Sequence, residues 1–184
     1  MRKVIMFNMI TLDGYFAGAK GDISWHRVDE EFNEYSINQL RTSGGLLFGR
    51  ITYQLMADYW STKHALEDDP TVAGLMNSLP KYVFSKTLKS VEWRNSQLMR
   101  GEAAIELEEL KKQPGMDLFI FGSANLSQTF IKNRLIDEFR IMVNPIILGN
   151  GIPLFSHLSE YLDMKLLNSK AFKNGNILLD YMLI

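Results

Sequence analysis

Short apolar segments that run into a glycine turn and then a helix constrain the fold of this chain more than any other feature. Residues 46–48 (LLF) lead into Gly49-Arg50 and a helical pattern, and residues 118–121 (LFIF) lead into Gly122-Ser123 and another. Continuous apolar runs of this length are typical of strands covered on both faces. The alternation of strands and helices therefore predicts a three-layer α/β fold, with a mostly parallel central sheet and helices on both faces.

The carboxyl-terminal segment has a different pattern. Residues 165–171 and 176–183 flank the turn sequence Lys173-Asn174-Gly175-Asn176, which is typical of a β-hairpin. This hairpin is expected to add antiparallel strands at one edge of the sheet. With 184 residues and no internal repeat, the chain is expected to form a single domain over residues 1–184.

Apolar periodicity and cap residues predict the remaining elements. Asp29 is expected to cap a helix that ends near Arg41, and Ser123 is the candidate cap of a helix over residues 124–133. Residues 11–25 are predicted to form a long loop, and the polar residues 61–70 a surface loop. The other predicted elements are strands at 3–9, 81–84 and 139–143, short strand material around Trp93 and 98–99, and helices at 72–77 and 102–112.

Composition excludes several functional classes. The net charge of -1 argues against a nucleic-acid-binding protein that relies on a broad basic surface. The chain has no cysteine, which rules out disulfides, thiolate metal sites and cysteine nucleophiles. Its histidines, His26, His64 and His157, are far apart in sequence, so no metal site is predicted. A hydrolase is poorly supported because the chain has no Gly-x-Ser-x-Gly motif.

The sequence also gives no targeting or membrane signal. Asn8, Thr11 and Asp13 interrupt the amino-terminal apolar stretch before it reaches the length of a signal peptide. Since no apolar run is long enough to cross a bilayer, no membrane partner is expected. A cytoplasmic location is the resulting expectation.

The turn Gly49-Arg50-Ile51-Thr52 is the strongest local signal of function. A helix amino terminus offers unpaired N–H donors and a positive dipole end, and glycine allows the backbone to approach a phosphate closely. Arg50 adds a permanently charged group of donors, and Thr52 adds a hydroxyl. The alternative is that Gly49 only permits a tight turn and that Arg50 is a solvated surface residue.

Two further turns carry candidate ligand-binding residues. Gly122-Ser123-Ala124 has the same strand-to-helix form as the first turn. Ligands of open α/β sheets bind beyond the carboxyl ends of the strands, so both turns are expected to face one crevice. Ser85 follows another predicted strand and is a candidate for nucleotide contact, whereas Lys86 is interpreted as part of a polar surface turn.

An aromatic residue and two acids lie between the first predicted strand and its helix. Trp25 stands in the glycine-rich loop, where an aromatic side chain either covers a planar ligand or anchors the loop in the core. Asp29 and Glu30 stand at the predicted helix start. A carboxyl beside an apolar wall can supply a proton near neutral pH. Helix capping and interaction with the helix dipole are the alternative roles, especially for Asp29.

Taken together, several motifs resemble, in their order and spacing, those of the dihydrofolate reductase superfamily. The stretch over residues 135–155 is more similar to the reductase domain of bacterial riboflavin biosynthesis and its stand-alone relatives. The resemblance spans nearly the whole chain. The motifs are TLDG (11–14), DISW (22–25), LFGRITY (47–53), YVFS (82–85), IFGS (120–123), LIDE (135–138), NPIILGNG (144–151) and PLF (153–155).

This resemblance implies an NADPH-dependent reductase, which in the riboflavin branch is usually a homodimer. It places the loop over residues 13–25 above the nicotinamide, with Trp25 at the substrate. The substrate-facing acid of the superfamily falls on Glu30, with Asp29 as its close competitor. The residues implied in cofactor binding are Gly49, Arg50, Ile51, Thr52, Ser85, Gly122, Ser123 and Ala124.

The implied reaction is hydride transfer from NADPH to a ribosylamino-pyrimidine or a pterin-like small molecule, with a proton from Glu30, Asp29 or water. In the riboflavin branch the substrate is 5-amino-6-(5-phosphoribosylamino)uracil, and a second anion site would hold its phosphate. The alternatives are a dihydrofolate reductase, an NADP-binding protein without catalytic activity, and a dimeric scaffold that binds no nucleotide.

Overall fold

The computed structural model describes residues 1–156, 158 and 160–184, so His157 lies outside the described residues. The strands are β1 Val4–Thr11, β2 Tyr15–Ala17, β3 Gly45–Gly49, β4 Lys81–Phe84, β5 Ser96–Met99, β6 Leu118–Phe121, β7 Glu138–Asn144, β8 Ile152–Pro153, β9 Met164–Ala171 and β10 Ile177–Leu183. The helices are α1 Glu30–Arg41, α2 Arg50–Trp60, α3 Lys63–Asp68, α4 Pro70–Ser78, α5 Ala103–Lys112 and α6 Ala124–Lys132.

The central sheet of the described residues has eight strands in the order β5-β4-β3-β6-β1-β7-β10-β9. Parallel pairing joins the six strands from β5 to β7. β10 pairs antiparallel with both β7 and β9. The predicted α/β class, the parallel sheet and the antiparallel hairpin at its edge are therefore confirmed.

The apolar runs of the sequence occupy the middle of the sheet. β6 lies between β3 and β1, and its first three residues are buried as expected of a strand covered on both faces. Along β1, Ile5 packs in the core on one face of the sheet and Met6 in the core on the other. This alternation follows from the two-residue period of a strand.

The helices divide between the two faces according to their place in the chain. Leu40 of α1, Tyr53 of α2 and Met76 of α4 pack in one core, whereas Leu107 of α5 and Phe130 of α6 pack in the other. The chain thus leaves β1 and β3 toward one face and leaves β6, which lies between them, toward the other. Such a change of direction opens a crevice at the carboxyl ends of the strands. None of the helices among the described residues has the length and apolar character needed to cross a membrane.

The prediction of a surface loop at residues 61–70 is wrong, because most of this segment is helical. The Thr62 side chain accepts a hydrogen bond from the Ala65 amide at 3.2 Å and caps α3. Only Ala65 of this helix is buried, so the segment has no apolar stripe from which a helix is recognised. Trp93 likewise lies outside β5 and is a buried core residue whose indole donates to Asn77 at 2.8 Å.

Candidate active site at the carboxyl ends of β3 and β6

Two strand-to-helix turns meet at the carboxyl ends of β3 and β6. The Gly49 amide donates to the Ser123 hydroxyl at 3.0 Å. The Ser123 amide in turn donates to the Thr52 hydroxyl at 3.0 Å. We call residues 49–52 and 122–124 the β3–β6 corner. The structure thus brings together the two turns that the sequence predicted to face one crevice.

Among the residues that the structure describes, no side chain caps either helix that begins at the β3–β6 corner. Gly49 has no side chain to offer at the start of α2, and the first turn of α2 contains no acid. Ser123 occupies the N-cap position of α6 but makes no capping hydrogen bond. The first amides of both helices therefore keep their capacity to donate to an anion, in the field of two positive dipole ends.

The prediction that Ser123 caps α6 through its side chain is wrong. Its backbone is left-handed, with φ of 58° and ψ of 48°, whereas a capping serine has extended backbone angles. The hydroxyl is instead engaged with Gly49 on the neighbouring turn. A left-handed conformation is costly for a residue with a Cβ, so this geometry persists only because its surroundings fix it.

The two glycines of the β3–β6 corner serve different purposes. Gly122 has a φ of +63°, and a Cβ there would lie 3.2 Å from Thr52 Cγ2 and 3.5 Å from Phe16 Cζ. Gly49 has a φ of -78°, which any residue can adopt. A tight turn therefore does not require glycine at position 49. Its lack of a side chain leaves the start of α2 open, which favours the interpretation of this turn as an anion site.

Arg50 is exposed on the first turn of α2. Its Nη1 donates to Gln54 Oε1 at 3.3 Å, and none of the ion pairs among the described residues includes it. A cation at a helix amino terminus opposes the helix dipole and destabilises the helix slightly. An unfavourable charge of this kind is common at functional sites, where a negatively charged ligand compensates for it.

The Ser85 turn lies beside the β3–β6 corner, since Phe84 is paired with Gly49 across β4 and β3. The Ser85 hydroxyl accepts hydrogen bonds from the Thr87 and Leu88 amides at 3.2 and 3.1 Å, which folds the turn. Lys86 forms an exposed ion pair with Glu102. This pairing confirms the interpretation of Lys86 as a surface residue.

The glycine-rich loop is tied to the segment that follows β7. The Asp13 carboxylate accepts from the Leu148 and Gly149 amides at 3.2 and 2.8 Å. Hydrogen bonding from the Thr11 hydroxyl, followed by these backbone amides, lowers the pKa of Asp13. The TLDG and NPIILGNG motifs, which are separated by more than a hundred residues, are therefore one structural unit.

A second tie between these segments is the ribbon of β2 and β8. Tyr15 pairs with Pro153, and Ala17 with Ile152, in antiparallel register. A Cβ at Gly151 would lie 2.4 Å from the Ala17 carbonyl oxygen, so the close approach of the two strands requires glycine there. This ribbon could not be predicted from the sequence, because strands of two and three residues have no measurable periodicity.

Trp25 anchors the end of the glycine-rich loop. Its side chain is 9% exposed, and its indole N–H donates to the Asp22 carbonyl at 3.2 Å. The His26 ring lies edge-on to it, with 4.5 Å between the ring centroids. Burial lowers the pKa of His26 to about 4, with Asp22 acting in the opposite direction. The anchoring role expected of Trp25 is present, while its contact with a substrate stays a prediction.

The two candidate acids have different surroundings at the start of α1. Asp29 is the N-cap, and its carboxylate accepts from the Phe32 amide at 2.9 Å. Glu30 is exposed, and it makes no hydrogen bond or ion pair with the described residues. The neighbouring Glu31 pairs with Lys170, which lowers the pKa of Glu31.

Asn8 also lies near the carboxyl edge of the sheet, although it was not predicted from the sequence as a site residue. It lies on β1 one residue beyond the last pair of β1 with β6, which is Phe7 with Phe121. The residue is 1% exposed, and neither amide atom has a hydrogen-bond partner among the described residues. The signal that marks it is a single carboxamide in the middle of an otherwise apolar strand.

The sheet order, the crossing of the chain between faces and the β3–β6 corner are those of an α/β fold of the dihydrofolate reductase-like class. The chain matches the RibD C-terminal domain family over residues 2–178, and it belongs to that family. The match covers nearly all of the sequence. It confirms the resemblance to the reductase domain of riboflavin biosynthesis that the motifs indicated.

Two similar proteins of Bacillus subtilis (strain 168) extend this assignment, and both carry names that describe them as uncharacterized. YyaP is 31% identical over 182 residues, which are 98% of this chain and 94% of that protein. YwjB is 30% identical over 173 residues, which are 93% of this chain and 92% of that protein. Relatives of the full length of this chain therefore exist as separate proteins.

Solved structures show the same fold. A putative riboflavin biosynthesis protein from Shewanella sp. PV-4 is 26% identical, with a TM-score of 0.76 and 99% of each chain covered. A diaminohydroxyphosphoribosylaminopyrimidine deaminase/5-amino-6-(5-phosphoribosylamino)uracil reductase from Thermotoga maritima is 15% identical, with a TM-score of 0.72. All of this chain but only 57% of the Thermotoga chain is covered, so the likeness concerns one part of a longer protein.

Proposed function

We propose that this protein is a pyridine-nucleotide reductase that binds NADPH with its phosphates at the β3–β6 corner. The observation that carries the proposal is the pair of uncapped helix starts held together by Ser123 and Thr52. Backbone amides from two helices then converge on one anion. Membership of a reductase family supports an oxidoreductase activity in the broad sense.

The residues of the β3–β6 corner fit a dinucleotide in shape and charge. Gly49 and Gly122 leave backbone at the surface of the turns, and Arg50 supplies a positive charge without a carboxylate partner among the described residues. In this arrangement Arg50 contacts either the 2′-phosphate or the pyrophosphate, and the amides after Gly49 and Ser123 contact the pyrophosphate. Ser85 lies on the next turn and extends the donor surface.

When bound, NADPH supplies the hydride for the reduction. The protein groups orient the two reacting rings and exclude water from them. The loop over residues 13–25 is suited to exclude water, because Asp13 and the β2–β8 ribbon hold it along the carboxyl edge of the sheet. Glu30 is the proposed source of the balancing proton, since the Asp29 carboxylate is engaged as the helix cap.

The proposed substrate is a planar nitrogen heterocycle, either a ribosylamino-pyrimidine or a pterin. The name of the Thermotoga relative includes the reduction of 5-amino-6-(5-phosphoribosylamino)uracil, which makes that compound the first to test. Dihydrofolate is the second, because dihydrofolate reductases share the superfamily that the motifs resemble. The two compounds separate a role in riboflavin synthesis from a role in folate reduction.

A combined binding and turnover experiment tests the proposal. A ligand that binds the folded state raises the melting temperature, so NADPH at saturating concentration should raise it by several degrees. NADPH oxidation should then depend on one of the two heterocycles. Binding without turnover of either compound would identify a non-catalytic NADP-binding protein, and no shift with NADPH would refute the proposal.

A further inference from the structure

Asn8 is a buried carboxamide that the described residues do not satisfy with a hydrogen bond. Both amide atoms lack a partner among the described residues, although the side chain is only 1% exposed. Most buried polar side-chain atoms in folded proteins have a hydrogen-bond partner, because leaving one unpaired costs free energy. An exception of this kind in the middle of a central strand requires an explanation.

Two other buried asparagines of this chain are satisfied at both amide atoms, and a third, Asn176, is satisfied at its Nδ2, which donates to the Arg27 carbonyl at 2.9 Å, but not at its Oδ1 among the described residues. Asn77 donates to the Trp60 and Ala73 carbonyls at 2.7 and 2.8 Å and accepts from the Trp93 indole at 2.8 Å. Asn144, at the end of the neighbouring strand β7, accepts from the Arg27 amide at 3.0 Å and donates to the Ile10 carbonyl at 3.3 Å. Asn8 thus differs from two residues of its own type in comparable burial.

The position of Asn8 connects it with the candidate active site. β1 continues to Thr11, whereas β6 ends at Phe121, so Asn8 stands next to the turn at Gly122. The chain leaves β6 and β1 toward opposite faces of the sheet, which places a crevice between their carboxyl ends. By the alternation of the strand, Asn8 shares the face of Met6 and Ile10, which pack in or against the core that contains α6.

We infer that Asn8 recognises the amide edge of a ligand in the crevice between β1 and β6. A carboxamide presents one acceptor and two donors side by side, which complements a lactam or another carboxamide in two parallel hydrogen bonds. Met6 and Ile10, which lie on either side of Asn8 on the same face of the strand, are apolar and suit a neutral, planar group. This inference rests on the proposed function, and two sources offer that chemistry: the carboxamide of the nicotinamide and the lactam of the heterocyclic substrate.

The first arm of the test measures the ligand-free protein. Asn8→Leu keeps the shape of the side chain and removes polar atoms that make no hydrogen bond to the described residues, so the melting temperature should be equal to or above that of the wild type. Asn77→Leu is the matched control and should lower it by about 4 °C or more, since it leaves several buried groups unpaired. A decrease in Asn8→Leu as large as that in Asn77→Leu would overturn the inference.

The second arm measures binding by the shift in melting temperature, with four probes. These are NADPH, 2′-phospho-ADP-ribose, dihydrofolate and 5-amino-6-(5-phosphoribosylamino)uracil. If Asn8 binds the nicotinamide, Asn8→Leu should bind NADPH about tenfold more weakly and 2′-phospho-ADP-ribose unchanged. If Asn8 binds the substrate lactam, the variant should keep both nucleotide affinities and lose about tenfold in affinity for a heterocycle.

The two proposals fail in different ways. If the wild type does not respond to NADPH, the proposed function is refuted, and this inference is refuted with it. If the wild type responds to NADPH and Asn8→Leu responds identically to all four probes, only the role of Asn8 is refuted. In that case the amide of Asn8 has a purely structural role.

Discussion

The Ser123 hydroxyl lies 3.0 Å from the Gly49 amide, although the two residues are 74 positions apart in sequence. This hydrogen bond joins the starts of α2 and α6, which lie on opposite faces of the sheet. It takes up the hydroxyl that would otherwise cap α6 and thereby leaves the first amides of that helix without a side-chain partner. The two helix ends are therefore joined at one corner, and its geometry depends on the hydrogen bonds of Ser123 with Gly49 and Thr52.

Substitution of Ser123 should separate the geometry of the β3–β6 corner from its stability. Ser123→Gly removes the hydrogen bond but relieves the left-handed backbone, so the melting temperature should stay within a few degrees of the wild type. Ser123→Ala also removes the hydrogen bond, but it keeps the strain of the left-handed backbone. Its free energy of unfolding should therefore be lower than that of the wild type by about 1–2 kcal/mol. Both variants should bind NADPH about tenfold more weakly in titration calorimetry. Wild-type affinity in Ser123→Gly would contradict the role given to this hydrogen bond.

Removal of the Arg50 charge should weaken cofactor binding without loss of stability. Charge-assisted hydrogen bonds contribute about 1.5–3 kcal/mol, so Arg50→Ala should bind NADPH at least tenfold more weakly. If Arg50 contacts the 2′-phosphate, the affinity for NADH should hardly change, and if it contacts the pyrophosphate, both affinities should fall. Lys86→Ala is the control, because Lys86 pairs with Glu102. Equal binding of both nucleotides by Arg50→Ala and the wild type would eliminate Arg50 from the site.

The two acids at the start of α1 can be distinguished because asparagine is also a good N-cap. Asp29→Asn should keep the hydrogen bond to the Phe32 amide and the stability of the helix. Asp29→Ala should lower the free energy of unfolding by about 1 kcal/mol. If Glu30 supplies the proton, Glu30→Gln should lower kcat with little change in cofactor affinity, and Asp29→Asn should not. The reverse result would assign the proton to Asp29. Unchanged turnover in both variants would leave water as the donor.

The parts of the fold that could be predicted are those in which one physical signal dominates. The run of residues 118–121 had to be a strand covered on both faces, and the turn at Gly175 had to join two antiparallel strands. The cap at Asp29 was equally clear, because a short acidic side chain precedes a periodic segment. In each case the local preference and the tertiary structure agree.

The features that could not be predicted depend on contacts between distant segments. The left-handed backbone of Ser123 is stabilised by Gly49 and Thr52, about 70 residues earlier, so the sequence around Ser123 predicts an ordinary cap. The tie from Asp13 to Gly149 is invisible for the same reason. At Asn8 the signal was present in the sequence, but a polar residue in a strand also fits a solvated face. Only the structure shows that this face is buried.

The buried Lys81 should make stability depend on pH in the alkaline range. Its amino group donates to the Met76 and Leu79 carbonyls at 2.8 and 2.7 Å, and burial lowers its pKa from 10.5 to about 8, with a smaller contribution from Arg94. Between these two values the unfolded chain binds more protons at this site than the folded protein. The contribution of Lys81 to the free energy of unfolding therefore rises with pH in this window, and it is lost as the pH falls through 8.

This dependence can be measured by urea unfolding of the wild type and of Lys81→Met at pH 7.5 and pH 10. The variant is expected to be less stable at both values, since it leaves the Met76 and Leu79 carbonyls without this donor. The difference in the free energy of unfolding between the wild type and Lys81→Met should grow by about 2–3 kcal/mol from pH 7.5 to pH 10. Lys63→Met, at an exposed lysine, is the control and should show no such growth. A constant difference for Lys81→Met would contradict the role of its titration.

The outer edge of the sheet should join two copies of the chain. Within the described part of the chain, β9 pairs only with β10 and presents an unpaired strand edge. Leu166 and Leu167 on β9 are 50% and 47% exposed. Such an edge is a template for pairing with another strand. Light scattering is expected to show a dimer for the wild type and a monomer for the double variant Leu166→Glu/Leu167→Glu. Ile105→Glu, at an exposed position of α5, should stay dimeric, and a monomeric wild type would refute the interface.

The double attachment of the glycine-rich loop determines how it can move. Asp13 holds the amides of Leu148 and Gly149, and the β2–β8 ribbon adds backbone hydrogen bonds farther along. Because these hydrogen bonds join them, the glycine-rich loop and the segment after β7 are expected to move together. Amide hydrogen exchange of Ala17 and Ile152 should therefore report the same opening event. The glycines allow the backbone to follow this path, whereas the Asp13 carboxylate limits how far the loop can move from the segment after β7.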